Sequence, residues 1–147
     1  MLRKLIVIAI SLNIAFYISG CGEQTAEDPL KTNINKMIYL LEKGKTEEFL
    51  DQYSYSELCG NMFDEFKSKE TYDEFLKIFK DKMSNKLIKD LKETRKISPT
   101  SKIENKSATF YTESQILNFV KIDGNWRLNI DNYLSDPATS PYIYTLF

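Results

Sequence analysis

Histidine is absent from the 147-residue sequence, and its absence excludes several kinds of catalytic and metal site. Histidine is the side chain that titrates nearest to neutral pH and is a frequent metal ligand, so imidazole triads and histidine-ligated metals are ruled out. The chain also lacks a block of basic residues, and its formal net charge is −1. A nucleic-acid-binding domain is usually strongly basic. We therefore expect no metal, no other cofactor and no nucleic-acid partner.

Cysteine is scarce as well, because the chain contains only Cys21 and Cys59. Two cysteines allow a single disulfide, and that pairing is lost if one thiol serves another purpose. Free cysteine usually behaves as a small apolar residue in a protein core. No base that would activate a thiol is evident near Cys59, so we interpret this residue as a buried or half-buried apolar side chain.

The N-terminal segment has a short basic part followed by an apolar part. Arg3 and Lys4 precede an apolar run over residues 5–18. A run of this length is typical of a secretory signal and is shorter than the roughly 20 residues with which a helix spans a bilayer. We expect residues 1–20 to be a signal peptide that is removed.

Four residues close the apolar run: Ile18, Ser19, Gly20 and Cys21. An aliphatic residue, two small residues and a cysteine in this order resemble the lipobox of bacterial lipoproteins. The resemblance implies cleavage between Gly20 and Cys21 and attachment of acyl chains, such as palmitate, to Cys21. Two or more such chains hold a protein stably at a membrane. An ordinary secretory signal with a chance cysteine and an uncleaved anchor are the alternatives.

The resemblance also implies a location in the bacterial cell envelope, with the membrane bound through the lipid on Cys21. An aspartate directly after the lipid-modified cysteine resembles an inner-membrane retention signal, and this chain has Gly22 at that position. In a cell with two membranes we therefore expect the periplasmic face of the outer membrane. Two of the 20 basic residues leave with the signal, whereas all 21 acidic residues stay, so the mature chain carries a net charge of −3.

The mature chain divides into three parts. Residues 21–28 are small and polar, which predicts a flexible tether. Residues 29–131 carry regular apolar patterns and are expected to form one domain. Residues 132–147 contain two prolines and several aromatic residues, so we expect an aromatic tail that packs on the domain. A partner-binding tail is the alternative, because exposed aromatic patches often mark interaction sites.

Apolar residues recur at helical spacing in the first two-thirds of the domain. Asp28 is a typical helix cap and Gly44 a typical helix end. We expect Thr46 to cap the second helix and Ser84 to cap the last part of the third helical stretch. The predicted helical stretches cover residues 29–43, 46–53 and 71–95, with a loop containing a helical turn over residues 54–70.

After Pro99 the apolar period changes to that of strands. Strands are predicted over residues 102–112, 115–122 and 125–131, and Ile97 is a candidate start of a fourth. Helices followed by a meander predict an α+β fold. We expect N-terminal helices packed on a curved antiparallel sheet of three to four strands, which would be cone-like.

The turn at residues 123–124 leaves two registers open for the last hairpin. A two-residue loop places Phe119 opposite Leu128, whereas a three-residue loop with a left-handed glycine pairs Val120 with Trp126. We prefer the second register, because it gives five apolar residues a common face: Ile116, Val120, Trp126, Leu128 and Ile130.

The hairpin at residues 119–128, with the sequence FVKIDGNWRL, is similar to the closing hairpin of the nuclear transport factor 2-like, cystatin-like cone. The sequence LEKG at residues 41–44, followed by TEEFL at residues 46–50, fits the opening helix pair of that family. The resemblance spans residues 30–131. Enzymes of the family resemble ketosteroid isomerases and polyketide cyclases and place Asp, His or Tyr inside the cone, but no residue here can be assigned to such a position.

These observations favour a non-catalytic binding module of the envelope, with an envelope protein or a small apolar ligand as its partner. A small cone-type enzyme, related to isomerases or cyclases, is one alternative. A purely structural component and an inhibitor or immunity protein are the others. Four carboxylates are candidates for acid–base chemistry, but they lie beside lysines near helix starts, where solvated charge is the simpler interpretation: Asp64, Glu65, Asp73 and Glu74.

Overall fold

The computed structural model of the chain describes residues 28–57, 68–137, 140–143 and 146. Its helices are α1 (Pro29–Glu42), α2 (Thr46–Tyr53), α3 (Lys69–Ile78), α4 (Ser84–Thr94), α5 (Asp131–Leu134) and α6 (Ser140–Ile143). Its strands are β1 (Ser54–Tyr55), β2 (Ser101–Ile103), β3 (Ser107–Tyr111), β4 (Ile116–Ile122) and β5 (Asn125–Asn129). The predicted signal peptide, the lipobox, Cys59 and the Asp64-Glu65 pair lie outside the described residues.

The expected α+β class is confirmed, and the helices precede most of a five-stranded sheet. The strand order is β1-β5-β4-β3-β2. Strand β1 pairs with β5 in parallel and the other neighbours are antiparallel, so the sheet is mixed rather than antiparallel with three to four strands. Two features account for the difference. The predicted strand over residues 102–112 is a hairpin, because Glu104 and Asn105 have positive φ angles and reverse the chain. Strand β1 has only two residues, which are too few to show the apolar–polar alternation of a strand in the sequence.

The preferred register of the last hairpin is wrong. Phe119 lies opposite Leu128 and Lys121 lies opposite Trp126, so the loop contains two residues. Asp123 and Gly124 have φ angles of 50° and 83°. Positive values at both positions define the turn type whose twist matches that of the flanking strands. The alternation of β4 is therefore shifted by one residue from the preferred register, and Leu117 and Phe119 are buried instead of Ile116 and Val120.

Helix ends agree with the sequence at α1 and differ at two other places. Asp28 caps α1, because its Oδ1 accepts a hydrogen bond from the Leu30 amide at 3.0 Å, and Gly44 has a φ of 69° just after the helix. Thr46 does not cap α2 but lies buried in its first turn. Ser84 does not cap α4 either, since its hydroxyl donates to the Phe79 carbonyl. A π-helical turn over Phe79–Met83 carries the chain from α3 into α4 without a break.

The core lies between the helices and one face of the sheet. Helix α1 packs beside α2 and α4, and both α1 and α2 contact β5. Phe79 stacks obliquely with Phe49 and Phe75, at ring-centroid distances of 6.2 and 6.0 Å. The inner face of the sheet contributes seven buried residues to this core: Ala108, Phe110, Leu117, Phe119, Trp126, Leu128 and Ile130.

The C-terminal part also contributes to this core. Tyr133, Leu134 and Leu146 are buried in the cluster that contains Trp126. Helix α6 contacts α3, and its Tyr142 remains 55% exposed. The two described aromatic residues of this region thus divide between the core, which contains Tyr133, and the surface, which contains Tyr142.

Candidate functional site

The interior beneath the sheet is filled with side chains. Phe79, Trp126 and Leu128 are each at most 1% exposed. Phe110 and Phe119 meet edge to face with ring centroids 5.6 Å apart. Edge-to-face contact at this separation is a favoured arrangement of aromatic rings in a protein core. The inner face of the sheet therefore serves stability in this structure.

Asp90 is a buried carboxylate that accepts three side-chain hydrogen bonds. Its Oδ2 accepts hydrogen bonds from the Tyr133 hydroxyl and from Gln115 Nε2, both at 2.8 Å. Its Oδ1 accepts a hydrogen bond of 2.5 Å from the Ser114 hydroxyl. Three donors on one carboxylate satisfy a charge that would otherwise be costly to bury. The cluster joins α4 to the β3–β4 connection and to α5.

The Tyr133 hydroxyl cannot act as a general base in this cluster. Burial and the adjacent Asp90 carboxylate both raise the pKa of Tyr133 above its usual range, because each disfavours the phenolate. Tyr133 therefore stays a hydrogen-bond donor at neutral pH. Asp90 is fully buried, so a substrate has no direct approach to it. The arrangement is that of a structural clamp rather than an acid–base pair.

Sequence analysis did not single out Asp90, although a signal was present. Leu87, Asp90, Leu91 and Thr94 recur at the spacing of one helix face, and all four are buried. A carboxylate on an otherwise apolar stripe is a mark of a buried polar contact. The partners could not be found in the same way, because Gln115 and Tyr133 lie 25 and 43 residues further along the chain.

The outer face of the sheet is a nearly uncharged surface formed by the described strands. Its pairs follow from the register, with Tyr111 opposite Ile116 and Val120 opposite Arg127. Ile103 and Tyr111 are 58% and 57% exposed, and Ile116 is 41% exposed. Arg127 is the one charged side chain among the strand residues on this face. We call it the outer face: Tyr55, Ser101, Ile103, Ser107, Thr109, Tyr111, Ile116, Asn118, Val120, Ile122, Asn125, Arg127 and Asn129.

Hydrogen bonds order the polar groups of the outer face. The Thr109 hydroxyl donates to Asn118 Oδ1 across β3 and β4 at 3.0 Å. Arg127 donates from a terminal guanidinium nitrogen to the Asp51 carbonyl at 3.0 Å, which ties β5 to α2. Burial raises the pKa of Tyr55, so its phenol stays neutral beside Asn129. The result is a surface of apolar, hydroxyl and amide groups with one tethered cation.

The other candidate residues from the sequence do not come together in one site. Asp73 and Glu74 lie exposed on α3, in a surface groove with Lys77 and Tyr142, where solvent and lysine surround them. The described residues contain no group of three or more acidic, histidine or cysteine side chains arranged to hold a metal ion. None of the helices in the described part is long and apolar enough to cross a membrane.

Sequence reasoning missed the outer face because it placed Val120 and Ile116 in the core. Apolar residues occur on both faces of β4, so the sequence alone does not show which of the two faces is buried. The type of the turn at residues 123–124 decides the register and could have been used instead.

Comparison of the chain with protein-family models, with curated proteins and with solved structures finds no match.

Proposed function

We propose that this chain is a lipid-anchored protein of the bacterial cell envelope, whose domain is a non-catalytic module that binds a protein partner through the outer face. The observation that carries the proposal is the chemistry of this face. In a chain of which 28% is charged, the strand residues of the outer face include a single charge. Depletion of charge is typical of the central part of protein interfaces.

A protein partner is favoured over a small apolar ligand by the shape of the two sheet faces. A small-molecule site normally encloses most of its ligand in a cavity. The inner face, with Trp126 and Leu128, is packed in the core beside Phe79, and no layer of the described residues covers the outer face. A surface with a single charge that displays Ile103 and Tyr111, and that no described residue covers, suits a broad contact instead. The enzyme alternative is not favoured, because Asp90 and Tyr133 are buried and engaged with each other.

The lipid anchor in this proposal depends on residues 18–21 and on the chemistry of the Cys21 thiol.

We further propose that the fold is a packed variant of the nuclear transport factor 2-like cone. The α1–α2 pair that meets at Gly44 and the two-residue turn of the β4–β5 hairpin support this proposal. The filled interior agrees with a binding role on the outside of the sheet rather than in its concavity.

Two exposed tyrosines allow a matched test of the outer face. Tyr111 lies on this face and Tyr39 lies on α1, and they are 57% and 52% exposed. We expect Tyr111→Glu to remove the partner from complexes isolated after crosslinking of intact envelopes, because a carboxylate in a neutral interface must be desolvated without a counter-charge. Tyr39→Glu adds the same charge elsewhere and should retain the partner.

The outcomes separate the surfaces. If wild type and Tyr111→Glu yield the same crosslinked proteins, the outer face is not the binding surface. Loss of a partner with Tyr142→Glu, but not with Tyr111→Glu, would assign binding to the C-terminal region instead. The anchor is tested independently with Cys21→Ser, which should abolish incorporation of labelled fatty acid and recovery in the membrane fraction. Continued labelling of that variant would contradict the anchor.

A further inference from the structure

One row of the outer face consists entirely of hydroxyl and amide side chains. The register places these five residues side by side, one on each strand, so the row runs across the strands. Neighbouring strands lie about 4.8 Å apart, and the row is therefore about 19 Å long. We call it the polar row: Ser101, Thr109, Asn118, Asn129 and Tyr55.

Apolar side chains flank the polar row on both sides. Ile103 and Val120 lie two residues from it along their strands on one side, where Arg127 of β5 follows them. Tyr111 and Ile116 lie two residues from it on the other side. Two residues of a strand span about 6.8 Å. A ligand that follows the row therefore meets polar groups beneath it and apolar groups on either side.

The amide oxygens of the polar row are already used within the domain. Asn118 Oδ1 accepts a hydrogen bond from the Thr109 hydroxyl at 3.0 Å. Asn129 Oδ1 accepts one from the Asp131 amide at 2.8 Å. Asn118 is exposed, and its Nδ2 has no acceptor among the described residues. Burial raises the pKa of Tyr55, so its phenol keeps a proton to donate. The groups that remain for a bound molecule are thus mainly N–H and O–H donors.

Arg127 adds a cation to this set of donors. A guanidinium has five N–H donors. One terminal nitrogen of Arg127 donates to the Asp51 carbonyl at 3.0 Å, and its Nε is buried without a hydrogen-bond partner. No carboxylate of the described residues lies within ion-pair distance of Arg127. A partner that covers this side chain has to supply a counter-charge, because burial of an unpaired charge is costly.

We propose that the partner binds the outer face with an extended acidic segment of its chain, which lies along the polar row. This inference rests on the proposed function, because it specifies the partner of that same surface. Backbone carbonyls of the segment accept hydrogen bonds from the row, and one carboxylate of the segment pairs with Arg127. Side chains of an extended chain alternate between two sides, so apolar side chains of the segment reach both apolar flanks. At about 3.4 Å per residue, about six residues span the row.

The same features favour a polypeptide over a neutral glycan. A glycan of this kind could accept hydrogen bonds from the polar row, but it brings no counter-charge for Arg127. It also lacks apolar side chains for the flanks that contain Ile103 and Tyr111. An acidic polypeptide segment supplies both.

A random library of displayed peptides tests the proposal. The peptides have about 12 residues, twice the length that spans the row, and are selected on the full chain in detergent solution. We expect enrichment of peptides that carry an acidic residue among apolar ones. Asn118→Leu should weaken their binding about tenfold, because a carbonyl of the peptide loses its donor. Asn85→Leu removes an equally exposed amide from α4, outside the outer face, and should leave binding unchanged.

A double-mutant cycle tests the contact with Arg127. Arg127→Gln should weaken an enriched peptide about tenfold or more, and so should replacement of the acidic residue of the peptide by its amide. The two changes together should weaken binding no more than either alone, because both remove the same contact. Fully additive losses would contradict this pairing.

Capture of the partner from crosslinked envelopes separates the inference from the proposed function. We expect Asn118→Leu to remove the partner as Tyr111→Glu does. Loss with Tyr111→Glu and full capture with Asn118→Leu would leave the proposed function intact and refute the polar row as its contact. Enriched peptides that lack acidic residues, or that bind Asn118→Leu as tightly as wild type, would overturn the inference. A crosslinked glycan in place of a polypeptide would refute both.

Discussion

Replacement of Asp90 by alanine tests the polar cluster that joins α4 to the sheet and to α5. The substitution removes the carboxylate that accepts from the buried Tyr133 hydroxyl and from the half-buried Gln115 amide, whereas Ser114 is exposed and can bond to water. A buried donor that loses its acceptor costs about 1–3 kcal/mol, and two such donors are affected. We therefore expect Asp90→Ala to lower the free energy of unfolding by about 2–5 kcal/mol.

Two milder substitutions set the scale for this prediction. Asp90→Asn keeps one acceptor oxygen, and its amide can donate to the Ser114 hydroxyl, so the expected cost is about 1–2 kcal/mol. Tyr133→Phe removes one donor and leaves two on the carboxylate, with a similar cost of about 1–2 kcal/mol. The double variant Asp90→Ala with Tyr133→Phe should cost less than the sum of the two, because the orphaned hydroxyl is gone.

The assay is urea unfolding followed by tryptophan fluorescence. Trp126 is the only tryptophan of the chain and is 1% exposed, so it reports the loss of the core directly. Asp73→Ala serves as the control, because Asp73 is an exposed carboxylate on α3 and should change stability by less than about 0.5 kcal/mol. An Asp90→Ala variant as stable as Asp73→Ala would refute the view that this cluster clamps α4 to the sheet.

Three further predictions concern turns, pH and caps. Gly124→Ala should cost about 1–2 kcal/mol in urea unfolding, because Gly124 has a φ of 83° that a side chain disfavours; an unchanged midpoint would contradict the two-residue turn. The pKa of Tyr133 is raised above its unfolded value of about 10, so its contribution to stability is complete below that pH and is lost as the pH rises further. The wild type should therefore lose about 1.4 kcal/mol more per pH unit above pH 10 than Tyr133→Phe, and equal slopes would show that the phenol ionises freely. Ser68→Ala should cost about 1 kcal/mol, because Ser68 Oγ accepts a hydrogen bond from the Thr71 amide at the start of α3, and rescue by Ser68→Asp would separate capping from packing.

Helices were predictable from the sequence because their signals are local. The apolar spacing over residues 29–43 and 46–53, with Asp28 before and Gly44 between, corresponds closely to α1 and α2. Ser84 was misread because a serine is a good cap and also a good donor to a preceding carbonyl inside a helix. The π-helical turn before it depends on how Phe79 and Met83 enter the core, which the sequence does not encode locally.

The sheet was predictable in its class and not in its pairing. Strand β1 exists because Ser54 and Tyr55 lie next to Leu128 and Asn129, far away in sequence. The register of β4 and β5 depends on one turn, and the turn chosen from apolar counts buried the wrong face of β4. This error also hid the candidate site, because Ile116 and Val120 were assigned to the core.

The candidate site illustrates the same limit. Tyr111 is half-exposed because the outer face has no layer over it in the described residues, and a strand pattern does not reveal which of its faces is left uncovered. Asp90 was visible as a carboxylate on an apolar helix stripe, but its role depends on Gln115 and Tyr133 from other elements. The anchor differs in kind, because residues 18–21 predict it from sequence alone.

Site-specific photocrosslinking in intact cells tests the proposed binding surface most directly. A photoreactive amino acid replaces Tyr111 on the outer face or Tyr39 on α1, two positions of nearly equal exposure. The proposal predicts a discrete crosslinked product of higher mass from position 111 and none from position 39. Products from position 39 alone, or from neither position in cells that express the lipid-modified chain, would contradict a protein-binding role for the outer face.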